Sequence, residues 1–193
     1  AVNAPLELPP RTALKLFATA IVAMERINVS EPERRMILIR DFRNVTLLVE
    51  RGDFTAADIE IVRGFAKERA FDLVYAPDMA RREANRINVL DDPFLYDGAM
   101  ALIGPRRADF MADYKFDLRP ANDNRPYFFN FLKWRALPEL LALSRQGAMP
   151  LVEWGTLILL ATLVQALVAS LVLIVVPLAV WHRRRATPSR GRA

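Results

Sequence analysis

The chain has 193 residues, with 27 lysines and arginines against 22 aspartates and glutamates, a formal net charge of +5. It has no cysteine, which excludes a disulfide framework, a thiolate nucleophile and a cysteine-ligated zinc site. The single histidine, His182, lies beside arginines near the C-terminal end, so a Ser-His-Asp triad and a histidine metal site are not expected in the rest of the chain.

The first part of the chain predicts one helix followed by an antiparallel hairpin. LPPRTALKLFATAIVAMERINV begins with prolines suited to a first helical turn and continues as a mostly apolar helix, of the kind that covers a sheet. The runs MILIRDF and NVTLLVERG are apolar and β-branched around the turn-prone Arg43 and Asn44, and indicate a hairpin buried on both faces. The polar residues of the helix follow one strip, namely Thr12, Lys15, Thr19 and Arg26.

A second helix and a further strand are predicted next. Thr55 and Asp58 form a capping-box-like pair that opens the helix, and FDLVYAPD indicates a strand that ends at Pro77. The order helix, strand, strand, helix, strand predicts an α/β fold over residues 1–118, with only short helices and loops after Met79. The helical residues expected to point inward are Ile59, Val62, Phe65 and Ala66.

Residues 119–150 are predicted to connect this domain to a membrane. They contain the stretch RPANDNRPYFFNFLKWR, which combines aromatic and basic side chains. The next stretch, ALPELLALSRQGAMP, indicates a short helix that either lies on the bilayer or packs on the domain.

Two interpretations of the aromatic stretch remain open. In the first, Asp123, Arg125 and Tyr127 line the rim of a substrate pocket and contact a cationic, polyamine-like substrate. In the second, Asp123 and Arg125 cap helices or pair locally while the aromatic side chains lie in the lipid headgroup zone; we favour it because flanking Lys133 and Arg135 suit an interface. The aromatic residues assigned to the membrane interface are Tyr127, Phe128, Phe129, Phe131 and Trp134, together with Trp154 and Trp181.

One apolar run predicts a transmembrane helix within residues 151–182. No residue from Gly155 to Trp181 is ionisable, and a helix of ~20 apolar residues is enough to cross a bilayer. Thr162, Gln165 and Ser170 recur on roughly one side of this helix and are expected to face other transmembrane helices.

Basic residues are concentrated after this helix, in the tail formed by residues 183–193. Five arginines lie in the tail and all 22 acidic residues precede it, which leaves 22 basic against 22 acidic residues in the rest of the chain. A neutral domain does not predict a nucleic-acid-binding surface. The tail indicates an anchor for an anionic leaflet or the positive side of a topology signal.

Four segments carry a family resemblance: LPPRTALKLFATA, the pair MILIRDF and NVTLLVERGDFT, FDLVYAPDM, and YKFDLRPANDNRPYFFNFLKWRALPELL. Together they resemble the C-terminal part of bacterial membrane proteins with a spermidine-synthase-like, S-adenosylmethionine-dependent methyltransferase-type domain. In that family the last segment commonly contains P-A-T-D-D-R-P-Y-F-F. This chain departs from that pattern at Asn122 and Asn124, so a role that needs two adjacent carboxylates is not carried over.

The resemblance implies the C-terminal portion of a Rossmann-like sheet, in which the first helix follows a central parallel strand and the hairpin closes one edge. It also implies that the glycine-rich turn and the catalytic acidic residues precede Ala1. S-adenosylmethionine, or its decarboxylated form, is then a cofactor of the complete protein, with no binding residues here. The chain alone is expected to be inactive as a methyltransferase or aminopropyltransferase. The alternative function is a non-enzymatic membrane-anchored α/β module for binding or assembly.

The resemblance also implies a location in the bacterial inner membrane, with the lipid bilayer as partner. The positive-inside rule puts the arginine-rich tail in the cytoplasm, since fewer cations, Lys133, Arg135 and Arg145, precede the apolar run. A domain of an S-adenosylmethionine user is instead expected in the cytoplasm, where that cofactor is. We favour the cytoplasmic domain, because further membrane helices in the complete protein override the bias of one.

Overall fold

The computed structural model describes residues 1–139, residue 142 and residues 154–186. The chain forms two compact units, Ala1–Leu137 and Pro138–Ala193. Most of the short helix predicted after the aromatic stretch, and the end of the basic tail at residues 187–193, lie outside the described residues.

The first unit contains a four-stranded sheet in the spatial order β1-β3-β2-β4, with every neighbouring pair antiparallel. Strands β2 and β3 form the predicted hairpin, in which Leu38 lies opposite Leu47. All five residues of β2 are buried, as expected for a strand covered on both faces. The strands are β1 (Val2–Pro5), β2 (Met36–Arg40), β3 (Asn44–Val49) and β4 (Asp72–Tyr75).

Four helices accompany the sheet in this unit: α1 (Thr12–Arg26), α2 (Ala56–Glu68), α3 (Phe94–Ile103) and α4 (Arg107–Asp113). Short 3₁₀ turns occur at Pro32–Arg35, Arg81–Glu83 and Trp134–Ala136. The predicted capping box opens α2, because Thr55 Oγ1 accepts from the Asp58 amide at 3.2 Å and Asp58 accepts from the Thr55 amide at 2.9 Å.

The sheet separates two apolar clusters, so the unit has three layers. On one face α1 and α3 pack on the sheet, with Phe17 and Leu102 fully buried. On the other face α2 packs beside Ile37 and Ile39. Helix α3 approaches α1 closely because Gly98 has no side chain; a Cβ there would lie 2.6 Å from Cδ1 of Leu14.

The structure confirms the mixed α/β order and differs from the sequence predictions in detail. Strand β1 precedes α1 and pairs with β3, although its short segment has no clear sequence signal. The hairpin lies in the middle of the described sheet rather than at an edge, because β4 pairs with β2. Phe65 is only partly covered: its ring packs edge-on against Phe71 at 6.1 Å between centroids, but it is 41% exposed and its face contacts the Arg69 guanidinium, whose Cζ lies 4.1 Å from the ring centroid.

The described part of the second unit is helical, with α5 (Trp154–Ser170) and α6 (Val176–Ala186) joined by a π-helical turn at Leu171–Val175. The turn ends two residues before Pro177, which cannot donate a backbone hydrogen bond within the helix. Ile158–Ala179 has 22 residues and a mean hydropathy of 2.7, and none of its most apolar stretch is buried. By length and composition this helix is able to cross a membrane.

A buried ion pair connects β2 to β4 in the first unit. Arg40 Nη2 lies 2.9 Å from Asp72 Oδ2, and the two side chains are 3% and 1% exposed. Asp72 also accepts three successive backbone hydrogen bonds, from Arg86 at 2.7 Å, Ile87 at 2.8 Å and Asn88 at 2.8 Å. The carboxylate therefore organises the loop that follows the Arg81–Glu83 turn.

Asn85 closes this loop from the other side. Its amide donates to the Leu90 carbonyl at 2.7 Å and its Oδ1 accepts from the Leu90 amide at 2.7 Å and from Arg40 at 3.0 Å. Burial lowers the pKa of Arg40 and the Asp72 charge opposes that effect. A guanidinium stays charged at any physiological pH, so the loop is built around a permanent buried positive charge.

We expect Asp72→Ala to lower the free energy of unfolding by about 3–5 kcal/mol, because it leaves the buried Arg40 charge without its counter-ion and three loop amides without their acceptor. Urea unfolding of the full chain in a mild detergent, followed by near-ultraviolet circular dichroism, measures this loss. Asp91→Ala, the same change at an exposed position, should alter stability by less than ~0.5 kcal/mol. A loss below ~1 kcal/mol for Asp72→Ala would contradict this account.

Candidate functional site

The polar residues of the aromatic stretch form a tight surface turn. Asn122 and Arg125 exchange backbone hydrogen bonds of 3.1 Å and 2.8 Å, with Asp123 and Asn124 at the tip. The side chains of Asp123, Arg125 and Tyr127 are all exposed. The structure therefore places Asp123 and Arg125 on one exposed turn, while Tyr127 is exposed two residues after it.

The aromatic residues that follow the turn pack on the first turns of α1. Arg11 Cζ lies 5.1 Å from the ring centroid of Phe116 and 5.6 Å from that of Phe131. Lys15 Nζ lies 4.7 Å from the Phe131 centroid and 5.7 Å from that of Phe128. We call these five residues the cation–aromatic clamp. Such contacts stabilise most when the cation is desolvated, and Lys15 is 3% exposed.

Hydrogen bonds fix the backbone of the stretch above α1. Lys15 Nζ donates to the Asn130 carbonyl at 2.8 Å, and the Asp117 amide donates to the Phe131 carbonyl at 2.8 Å. Arg11 and Lys15 are four residues apart, so both reach the stretch from one helix face. The start of α1 and residues 117–131 are therefore in direct contact, although they are far apart in sequence.

Charged side chains beside the clamp are engaged in local contacts. Asp117 pairs with Arg119 through contacts of 2.8 Å to Nε and 2.5 Å to Nη2. Burial favours a raised pKa for Asp117, but hydrogen bonds from Arg119 and the charge of Lys15 hold that pKa below its ordinary value. Lys133 donates to the carbonyls of Met111 and Tyr114 at 2.6 Å and 2.7 Å, and burial lowers its pKa.

The N-terminal end of α1 is closed by a carboxylate of the chain itself. Glu7 accepts from the Thr12 hydroxyl at 2.7 Å and from the Thr12 amide at 3.4 Å, and it also pairs with Arg11 at 3.2 Å. The helix end is therefore already occupied by an anionic group.

The membrane-interface residues divide into exposed and buried ones. Tyr127, Phe129 and Trp134 are 78%, 71% and 62% exposed, which suits the headgroup zone. Phe131 does not fit that prediction, because it is only 4% exposed beneath Arg11 and Lys15. Phe128 is half-buried, and one face of its ring lies toward Lys15.

Of the two tryptophans predicted to lie at the membrane interface in the second unit, the structure describes the side chain of one. Trp181 lies in α6 and is 51% exposed, while the Trp154 side chain lies outside the described residues. On the predicted helix–helix face, Thr162 Oγ1 donates to the Leu159 carbonyl at 2.9 Å, and Gln165 is exposed. Ser170, the third residue of that face, is exposed as well, and its contact with another transmembrane helix stays a prediction.

Sequence reasoning missed the clamp cations. It put Lys15 on a polar strip and gave no role to Arg11 or Phe116. A signal was present, because a lysine and an arginine four residues apart at the start of an apolar helix need buried acceptors or ring faces. Nothing local indicated that residues 116–131 supply them.

Lys15 and Lys133 contact rings or backbone carbonyls in this part of the chain, and Asp117 pairs with Arg119. In the described part of the chain no three His, Cys, Asp or Glu side chains converge as a metal site. No protein-family model, curated protein or solved structure matches the chain. The resemblance to spermidine-synthase-like membrane proteins therefore stays a prediction.

We expect Lys15→Met to loosen residues 127–135, because it removes the ring contacts and the hydrogen bond to Asn130. A loss of ~1–2 kcal/mol raises the open population roughly 5- to 30-fold. Trypsin digestion followed by mass spectrometry should show faster cleavage after Lys133 by about that factor. Lys67→Met, at an exposed position of α2, should leave the rate unchanged, and equal rates for both variants would rule out the clamp.

The buried hydroxyl of Tyr114 should make the folded chain less stable at alkaline pH. Its hydroxyl donates to the Pro10 carbonyl at 2.6 Å, and burial raises its pKa above the ordinary value. The unfolded phenol releases its proton near pH ~10, whereas the folded one retains it, so stability falls as pH rises above ~10. We expect Tyr114→Phe to reduce this dependence in urea unfolding between pH 8 and 11, while the buried Tyr75, whose pKa burial also raises, retains the remainder. Tyr127→Phe, an exposed phenol, should leave the slope unchanged; the reverse pattern would contradict the assignment.

Proposed function

We propose that this chain is the membrane-attached C-terminal part of a spermidine-synthase-like, S-adenosylmethionine-dependent transferase-type protein. The observation that carries the proposal is the direction of β1 and β2. Both strands are antiparallel to β3, so they run the same way, and α1 connects them. A strand, a helix and a second strand of the same direction form the unit from which Rossmann-like sheets are built.

The position of β1 supports a larger sheet. Within the described residues β1 pairs with β3 on one side only, so its other edge offers backbone groups to a further strand. The family resemblance implies that strands of the cofactor-binding half lie on that side. In the complete protein the described sheet is then one end of a longer one.

The residues of this chain do not fit the cofactor. The segment between β1 and α1, Leu6–Arg11, has two prolines and no glycine, and Glu7 occupies the helix end where a nucleotide ligand commonly binds. We therefore assign the binding of S-adenosylmethionine, or of its decarboxylated form, to residues outside this chain.

The remaining role of the chain is attachment. Ile158–Ala179 is the anchoring helix, and the exposed Phe129 and Trp134 lie at the headgroup level of the bacterial inner membrane. The clamp holds these side chains on the domain. In this proposal the domain lies in the cytoplasm, and Asp123 and Arg125 stabilise the surface turn.

Calorimetric titration tests the assignment of the cofactor. S-adenosylmethionine added to the full chain in detergent should give no saturable heat, because nothing aligns the cofactor. A polypeptide extended upstream of Ala1 by the segment continuous with it should bind. Saturable binding to the chain alone would show that the cofactor site is here. No binding to the extended polypeptide would favour the non-enzymatic module.

Deleting residues 155–193 tests the anchor. The truncated chain should leave the membrane fraction on carbonate extraction, because it lacks the one described apolar helix long enough to span a bilayer. Thr156→Ala in the full chain is the control and should remain in the membrane fraction. Retention of the truncated chain would show that another segment is the anchor.

A further inference from the structure

A groove runs between α4 and the backbone that follows the clamp. Its volume is about 600 Å³. Ala108, Met111 and Ala112, on one face of α4, form an apolar wall. Opposite them lie Arg119, Trp134 and Arg135. We call this feature the α4 groove.

The lining of the α4 groove is basic. Arg119, Lys133 and Arg135 contribute three cations, and no carboxylate belongs to the lining. Asp117 lies behind Arg119 and pairs with it, but the Arg119 side chain remains 54% exposed. The groove therefore combines positive charge with an apolar wall.

Lys133 has a structural part in this arrangement. Its ammonium donates to three carbonyls at the end of α4, those of Met111, Ala112 and Tyr114. These bonds hold the backbone of residues 132–135 against the helix. The cationic groups that face an incoming anion are therefore Arg135, which is exposed, and the part of the Arg119 guanidinium that its pairing with Asp117 leaves open.

Trp134 distinguishes the groove from an ordinary basic cleft. The Trp134 side chain lines the groove and is 62% exposed, and Phe129, five residues earlier in the same segment, is exposed as well. A large exposed indole beside arginines is typical of residues at the membrane–water boundary, where one end is apolar and the other wet.

We propose that the α4 groove binds the headgroup of an anionic phospholipid from the bilayer that holds this chain. Arg119 and Arg135 bind the phosphate, and the apolar wall with Trp134 covers the glycerol and the first acyl carbons. The proposal rests on the membrane attachment proposed above. The apolar wall is the reason for choosing a lipid over free phosphate, which has no apolar part.

The probe is the full chain with Trp154→Phe and Trp181→Phe, which leaves Trp134 as its one tryptophan. This chain is placed in nanodiscs of phosphatidylcholine and phosphatidylglycerol, in which one lipid at a time carries bromine near the glycerol. Brominated phosphatidylglycerol should quench Trp134 more strongly than brominated phosphatidylcholine at the same mole fraction.

Matched variants assign the preference to the groove. Arg119→Gln and Arg135→Gln should each weaken the preference for phosphatidylglycerol roughly fivefold, and together they should abolish it. Arg82→Gln, an exposed arginine outside the groove, should leave it unchanged. An equal effect of all three variants would mean that net charge alone attracts the lipid, which overturns the proposal.

The remaining outcomes are separable. If the chain elutes apart from the discs, the membrane attachment itself fails, and this inference with it. If the chain stays in the discs but both brominated lipids quench equally, the groove proposal alone fails.

Loss of the preference on adding millimolar inorganic phosphate would identify a free-phosphate site. Quenching that falls as copies per disc increase would identify a second copy in the groove. Either result would overturn the lipid assignment.

Discussion

The architecture of the first unit depends on complete burial of strand β2. All five of its residues are inaccessible, so both faces of the sheet need a cover. Helices α1 and α3 supply one cover and α2 the other. The last residue of the strand is Arg40, whose buried charge requires Asp72, and Asp72 in turn shapes the loop over residues 85–90. The burial of β2 therefore requires helices on both faces of the sheet, and its last residue, through Asp72, fixes the loop over residues 85–90.

The cation–aromatic clamp supports the aromatic stretch that we propose lies at the membrane interface. A helix that covers a sheet is normally polar on its outer face, but the start of α1 carries Arg11 and Lys15 under aromatic rings instead. Desolvation makes these contacts stronger than they would be at the surface. They hold the aromatic stretch on the domain, while Tyr127, Phe129 and Trp134 remain exposed. Exposed aromatic residues on a held backbone suit a headgroup layer.

The two proposals use different parts of the unit. The transferase-type proposal uses β1, β2 and α1, whose directions form a Rossmann-like unit, while Glu7 occupies the adjacent helix end. The lipid proposal uses α4 and residues 119–135, which lie on the surface of the same unit. Both assign this chain to attachment and support.

Local patterns in the sequence determined the hairpin, the helix that begins after Thr55 and the long apolar helix. The reason is that β-branched runs, a capping pair and an uncharged stretch act over a few neighbouring residues. Only the tertiary structure decided that Phe131 is buried, that Lys15 bonds to a carbonyl 115 residues away, and that α4 forms a groove. Those features require two segments to meet, and a side chain's partner across such a distance leaves no periodic signal in either segment.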